Sequence, residues 1–86
     1  MAKTRILVVD DDELILASLS EFLRLEGYQT ETAASFQQAS AHLAAETFDV
    51  VIADVSMPDV DGFELLKMVR NRYPDTAVIM ITGYGT

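Results

Sequence analysis

Three short runs of unbroken apolar residues, at Arg5 to Val9, Phe48 to Ala53 and Ala77 to Ile81, constrain this chain most, because none alternates with polar residues. A strand with only one buried face reads as alternation, whereas a continuous Val/Ile/Leu run reads as a strand covered on both faces, as in parallel sheets. Asp49 is the only interruption after Arg5, and the second run ends at Asp54. A fourth segment, Tyr28 to Thr32, alternates weakly and holds two threonines, which suits a short strand near a sheet edge.

The segments between these runs have helical spacing. Leu14, Ile15, Ala17, Ser18, Leu19, Phe22, Leu23 and Leu25 predict a helix from about Asp12 to Glu26, and Gly27 supplies a left-handed stop. Ser35 and Gln38 fit a capping box for a second helix running to about Glu46, with Phe36, Ala39 and Leu43 on its apolar stripe. Pro58 biases Met57 away from helix, so Val55 to Val60 reads as a loop. Asp61 and Glu64 then form an acidic capping pair for a third helix ending near Asn71, followed by a Tyr73-Pro74-Asp75 turn. The order βαβαβαβ implies a parallel sheet with right-handed crossovers and helices on both faces.

Composition narrows the function. At 86 residues the chain is one domain at most, and half its residues are apolar, enough for a core. A chain this short buries only about 60–65% of its unfolded surface, so its stability is expected to be marginal. It has no cysteine, which excludes disulfides, zinc-thiolate sites and thiol nucleophiles. A net charge of −8 repels phosphate backbones and argues against direct nucleic-acid binding. The apolar run after the basic Met1 to Arg5 stretch is four residues long, too short for a signal-peptide core, and no stretch approaches the roughly 20 residues of a membrane span. The expected compartment is therefore the cytoplasm, with no membrane partner.

Open parallel sheets bind ligands beyond the carboxyl ends of their strands. Here the first strand ends in Asp10-Asp11-Asp12, the third in Asp54 and the fourth in Thr82-Gly83. Neighbouring strands lie about 4.8 Å apart, so carboxylates at adjacent ends fall within reach of one ion. Crowded carboxylates raise one another's pKa unless a cation sits among them, and an all-oxygen set selects a hard ion such as magnesium. Helix starts favour acids, so Asp12 is assigned to the helix start. That explanation does not extend to Asp10, Asp11 and Asp54, because the strands before Asp10 and Asp54 look central and buried. His42, beside the second helix's stripe, is read as a surface residue.

At these residues the chain resembles the receiver domain of two-component response regulators. The matching stretches are Ile6 to Asp12, Asp49 to Asp54, Met57-Pro58-Asp59-Val60-Asp61-Gly62-Phe63-Glu64-Leu65-Leu66, and Val78 to Gly83. The resemblance implies an α/β, flavodoxin-like (CheY-like) fold with strand order 2-1-3-4-5. It implies that Asp54 is the phosphoacceptor, attacking a phosphohistidine on a sensor histidine kinase. Asp10 and Asp11 would hold Mg2+ together with Asp54 and the backbone carbonyl of Ser56, and Thr82 would hydrogen-bond the phosphoryl group as the switch. On this reading the chain is a signalling module rather than an enzyme. Gly83-Tyr84-Gly85-Thr86 further resembles regulators that activate sigma-54-dependent transcription.

The resemblance also implies what is lacking. The family carries a lysine at the end of a fifth strand, and no residue here replaces it; Lys3 and Arg5 lie roughly 17–23 Å from Asp10, at the opposite edge. The chain is thus expected to be a partial receiver domain, residues 1–86, truncated after the fourth strand, without a fourth helix, fifth strand or fifth helix, and impaired in phosphorylation. An exposed fourth strand and an uncovered first helix invite self-association. Two other functions remain open. One is a structural or dimerisation pseudo-receiver that is never phosphorylated. The other is a phosphatase of the haloacid dehalogenase type, which also uses a strand-end Asp and magnesium but wants a second Asp where Ser56 stands.

Overall fold

The computed structural model describes residues 3–54 and 62–81. Seven elements follow in the expected order: β1 (Arg5–Val9), α1 (Glu13–Leu25), β2 (Gln29–Ala33), α2 (Phe36–Ala45), β3 (Val50–Asp54), α3 (Gly62–Arg72) and β4 (Ala77–Ile81). The four strands form one parallel sheet in the order β2-β1-β3-β4.

Local chemistry sets the helix ends. The Asp12 side chain accepts from the backbone N–H groups of Leu14 and Ile15 at the start of α1. Gly27, at φ 97°, takes the left-handed conformation that ends it, and its N–H donates to the Arg24 carbonyl. Ser35 caps α2 by accepting from the Gln38 N–H. The return bond differs from the usual capping box: Gln38 Oε1 accepts from Ala34 N–H, one residue before the cap. The Asp61 half of the third capping pair lies outside the described residues.

Alternation sorts the core onto two faces. Leu7, Val9, Val51 and Ala53 pack with Ala39, Leu43, Phe48, Leu65 and Val69, so this face is covered by α2 and α3. Ile6 and Val8 pack with Leu16 and Leu23 of α1, while Val50 and Ile52 are only partly buried beside them.

Three expectations need correction. β3 starts at Val50, and Phe48 lies before it, although its side chain is buried in the α2/α3 core. β4 is not a buried strand. It is the edge next to β3, with Ala77 exposed and Ile79 49% exposed, because nothing among the described residues covers its α1-side face. His42 is half-buried rather than a surface residue, and its ring meets Phe48 edge-on at 6.3 Å.

The strand starts are tied together at the amino edge of the sheet. Arg5 N–H donates to Asp49 Oδ2 (2.8 Å), Asp49 N–H to the Arg5 carbonyl, and Ala77 N–H to the Asp49 carbonyl. The Arg5 guanidinium pairs with Glu46 and lies 5.4 Å from the Phe48 ring centre. Thr76 Oγ1 donates to the Phe48 carbonyl (2.6 Å).

Candidate functional site

At the carboxyl edge the register brings two acids side by side. Val9 of β1 pairs with Ala53 of β3, so the next step along both strands sets Asp10 beside Asp54. Both are buried, at 2% and 4% exposure. Each strand enters this edge from the middle of the sheet, with β1 between β2 and β3, and β3 between β1 and β4.

The three consecutive aspartates have different surroundings. Asp10 Oδ1 accepts from Asp12 N–H (2.9 Å), an Asx turn that fixes the carboxylate as the chain leaves β1. Asp10 Oδ2 is buried with no hydrogen-bond partner among the described residues. Asp11 is exposed, and Asp12 caps α1. The Asx turn was legible in the two-residue Asp spacing, but the sequence reading did not use it. Burial pushes the Asp10 carboxyl above its ordinary value; the Asp12 N–H bond opposes this, and the charges of Asp54, Asp11 and Asp12 add to it. An orphaned carboxylate oxygen in a crowd of acids is the environment a cation relieves. The donors present are all oxygen, which fits a hard divalent ion.

The structure brings Asp10 and Asp54 together. Among the described residues no three acidic or histidine side chains gather around one point; Asp11 is exposed, and its charge acts on the Asp10 carboxyl. Ser56 and Thr82 lie outside the described residues, as do Pro58 and Gly83. Thr82 directly follows Ile81, whose register partner is Asp54. Arg5 stands at the opposite edge, engaged with Glu46, and Lys67 is 3.8 Å from Glu64 on α3.

The family model of the response regulator receiver domain matches residues 6–86. The chain belongs to this family. It is 41% identical over 81 residues to response regulator protein FleR of Pseudomonas aeruginosa, covering 94% of this chain but only 17% of that protein. Among solved structures, a CheY-like receiver domain protein from Methanospirillum hungatei superposes with a TM-score of 0.91 at 39% identity. That match covers 99% of this chain and 68% of the neighbour. Response regulator TrrA of Thermotoga maritima, solved in complex with Mg(2+)-BeF, matches at TM-score 0.86 and 36% identity, over 95% of this chain and 71% of its own.

The fold is therefore the flavodoxin-like, CheY-like one, and the chain is a phosphoacceptor signalling domain of the two-component type. Neither the unphosphorylated pseudo-receiver nor the haloacid-dehalogenase-type phosphatase is favoured by these matches. No helix among the described residues is long and apolar enough to cross a membrane.

Proposed function

We propose that Asp54 is the residue phosphorylated in this receiver, with the phosphohistidine of a cytoplasmic sensor histidine kinase as donor. The observation that carries this reading is the buried Asp10–Asp54 pair at the carboxyl edge, with Asp10 Oδ2 left unbonded. A carboxylate oxygen of Asp54 forms the new bond to phosphorus while the nitrogen–phosphorus bond of the donor breaks, and the electron pair returns to the departing imidazole. The product is an acyl phosphate, a recognised covalent intermediate type.

Asp10, Asp11 and Asp54, with the Ser56 carbonyl, are the groups to hold Mg2+. When bound, the ion supplies neutralisation of charge on the phosphoryl oxygens. Asp10 is oriented for this by its bond from Asp12 N–H, which leaves Oδ2 free. Phosphorylation adds nearly two negative charges to an acidic edge, and the Thr82 hydroxyl is the nearby donor that answers it. The output is control of transcription through other parts of a longer regulator, of the sigma-54-dependent group. This chain itself contacts neither nucleic acid nor membrane. Self-association runs through the open side of β4, which among the described strands pairs only with β3.

The test is incubation with acetyl phosphate and Mg2+, followed by intact mass measurement. One phosphoryl adduct is expected in the parent chain and none in Asp54→Asn. An adduct that survives Asp54→Asn, or none in either chain after prolonged incubation, overturns the assignment.

A further inference from the structure

Of the sheet's two outer strands, β2 keeps its place whatever follows Thr86. The order is β2-β1-β3-β4, and in the flavodoxin-like order 2-1-3-4-5 a further strand joins β4. An outer strand presents a row of unpaired N–H and C=O groups, a template for another chain unless something blocks it. The register shows which groups these are. Gln29 N–H donates to the Thr4 carbonyl, and the Ala33 carbonyl accepts from Asp10 N–H. Backbone direction alternates along a strand, so Gln29, Glu31 and Ala33 face β1 while Thr30 and Thr32 face outward. Both outward residues are β-branched, which favours an extended, pairing backbone.

Arg24 sits in this row. It is an exposed residue in the last turn of α1, and its Nη2 donates to the Thr30 carbonyl at 2.8 Å. The helix end does not need that side chain, because Gly27 and Tyr28 N–H already donate to the Arg24 and Leu23 carbonyls. The guanidinium instead holds the acceptor that an added strand would use, through a charge-assisted bond. Ala17, Ser20, Arg24 and Thr32 are among the residues lining a groove of about 380 Å³ between α1 and β2. The small Ala17 and Ser20 leave room there for another backbone once Arg24 withdraws.

We propose that the outer edge of β2 is a pairing surface for a second copy of the chain, and that Arg24 holds it shut. The partner follows from symmetry. Thr30-Glu31-Thr32 matches itself in an antiparallel pairing about a two-fold axis at Glu31. Thr30 of one copy then exchanges both backbone bonds with Thr32 of the other, and the same happens across the axis. Each exchange uses a Thr30 carbonyl that Arg24 occupies, so both guanidiniums must withdraw before the strands pair. Glu31 adds a second barrier. Its register partner is Leu7, which points to the α2/α3 face, so the two Glu31 carboxylates would oppose each other on that face. The inference uses neither the Asp54 chemistry nor the open side of β4.

The chain has no cysteine, so a single one at the axis reports this pairing alone. Opposed residues of a non-hydrogen-bonded antiparallel pair have Cα atoms about 4.5 Å apart, within disulfide reach. Glu31→Cys and Arg24→Met/Glu31→Cys are oxidised under the same mild conditions at matched concentration, and covalent dimer is timed on non-reducing gels. Met keeps an apolar stem and removes the donors. The double variant is expected to link roughly tenfold faster, the scale of one charge-assisted hydrogen bond. Adding Arg24→Met to Gln37→Cys, exposed on α2, should leave the linking rate there unchanged. Equal rates at position 31 with and without Arg24 overturn the proposal. So does an equal acceleration at position 37, which would report unfolding or general association. A second measurement needs no variant. In the parent chain, Thr30 and Thr32 N–H should exchange with solvent at rates independent of protein concentration. Protection that grows with concentration at those two amides would show the edge pairing with Arg24 in place, and would overturn its role as guard.

Discussion

The two ends of this sheet are built on opposite principles from the same strands. At the amino edge charged and polar groups answer one another: Arg5 with Glu46, Asp49 with the Arg5 N–H, Thr76 with the Phe48 carbonyl. At the carboxyl edge Asp10 and Asp54 are buried side by side, and one oxygen of Asp10 has no partner. The amino edge holds strands in register. The carboxyl edge buries two acids at the point where the proposed phosphoryl chemistry would place a cation. Residues that hold the strands and the residues proposed to act are thus separated by the length of one five-residue strand.

The largest expected effect breaks the amino edge. Phe48 is 2% exposed and sits under both Arg5 and His42. Phe48→Ala should cost about 3–5 kcal/mol, from lost burial and a residual cavity. That is most of the stability a domain this small possesses, so urea titration should find the variant largely unfolded. If the amino edge were not what holds the strand starts, the loss would be near 1 kcal/mol.

At the carboxyl edge the sign reverses. Asp10→Asn keeps an acceptor for Asp12 N–H and removes a poorly compensated buried charge. It should stabilise the metal-free chain by roughly 1–2 kcal/mol at neutral pH. Because the folded-state pKa of Asp10 is raised above 3.8, its stabilising contribution is fully present below that value and lost as pH rises through the raised one. The gap between parent and variant should therefore widen from pH 4 to pH 7. Mg2+ should raise the melting temperature of the parent and leave Asp10→Asn little changed. A variant less stable than the parent at pH 7 would mean that Asp10 is a structural group.

Thr76→Val sharpens the contrast on a smaller scale. It is close to isosteric and leaves the buried Phe48 carbonyl without its donor, so chemical denaturation should register a loss of about 1 kcal/mol. Mg2+ should not alter that loss.

These residues also mark what was legible in the sequence. β1 and β4 were read to the residue, because continuous Val/Ile runs are bounded by aspartates or a turn. The caps Asp12 and Ser35 and the stop at Gly27 were equally visible, since local hydrogen bonds fix them. The exposure of β4 was not legible in its own run, which reads as covered on both faces, because an open face depends on which elements lie over it; it was expected only from the family resemblance. Nor was the inward turn of His42, which follows from Phe48 lying outside β3 yet inside the core. At the site, side-by-side placement of Asp10 and Asp54 followed from strand ends and parallel order. The different surroundings of the three aspartates depend on how the chain turns after β1, where Asp12 N–H donates to one oxygen of Asp10 and Asp11 is left exposed.

The smallest effect tests whether the amino edge is held by charge or by packing. The Arg5–Glu46 pair is about one-third exposed on both sides, so water screens most of its attraction. Glu46→Gln retains an acceptor for the guanidinium and leaves Arg5 over the Phe48 ring. Its cost should stay under about 0.5 kcal/mol at moderate salt and shrink further as salt is raised. Comparing urea midpoints at low and high ionic strength reads this directly. A cost of several times that size, unmoved by salt, would mean that the ion pair rather than the Phe48 side chain organises the amino edge. The contrast with the buried acids of the carboxyl edge would then be one of charge pairing alone.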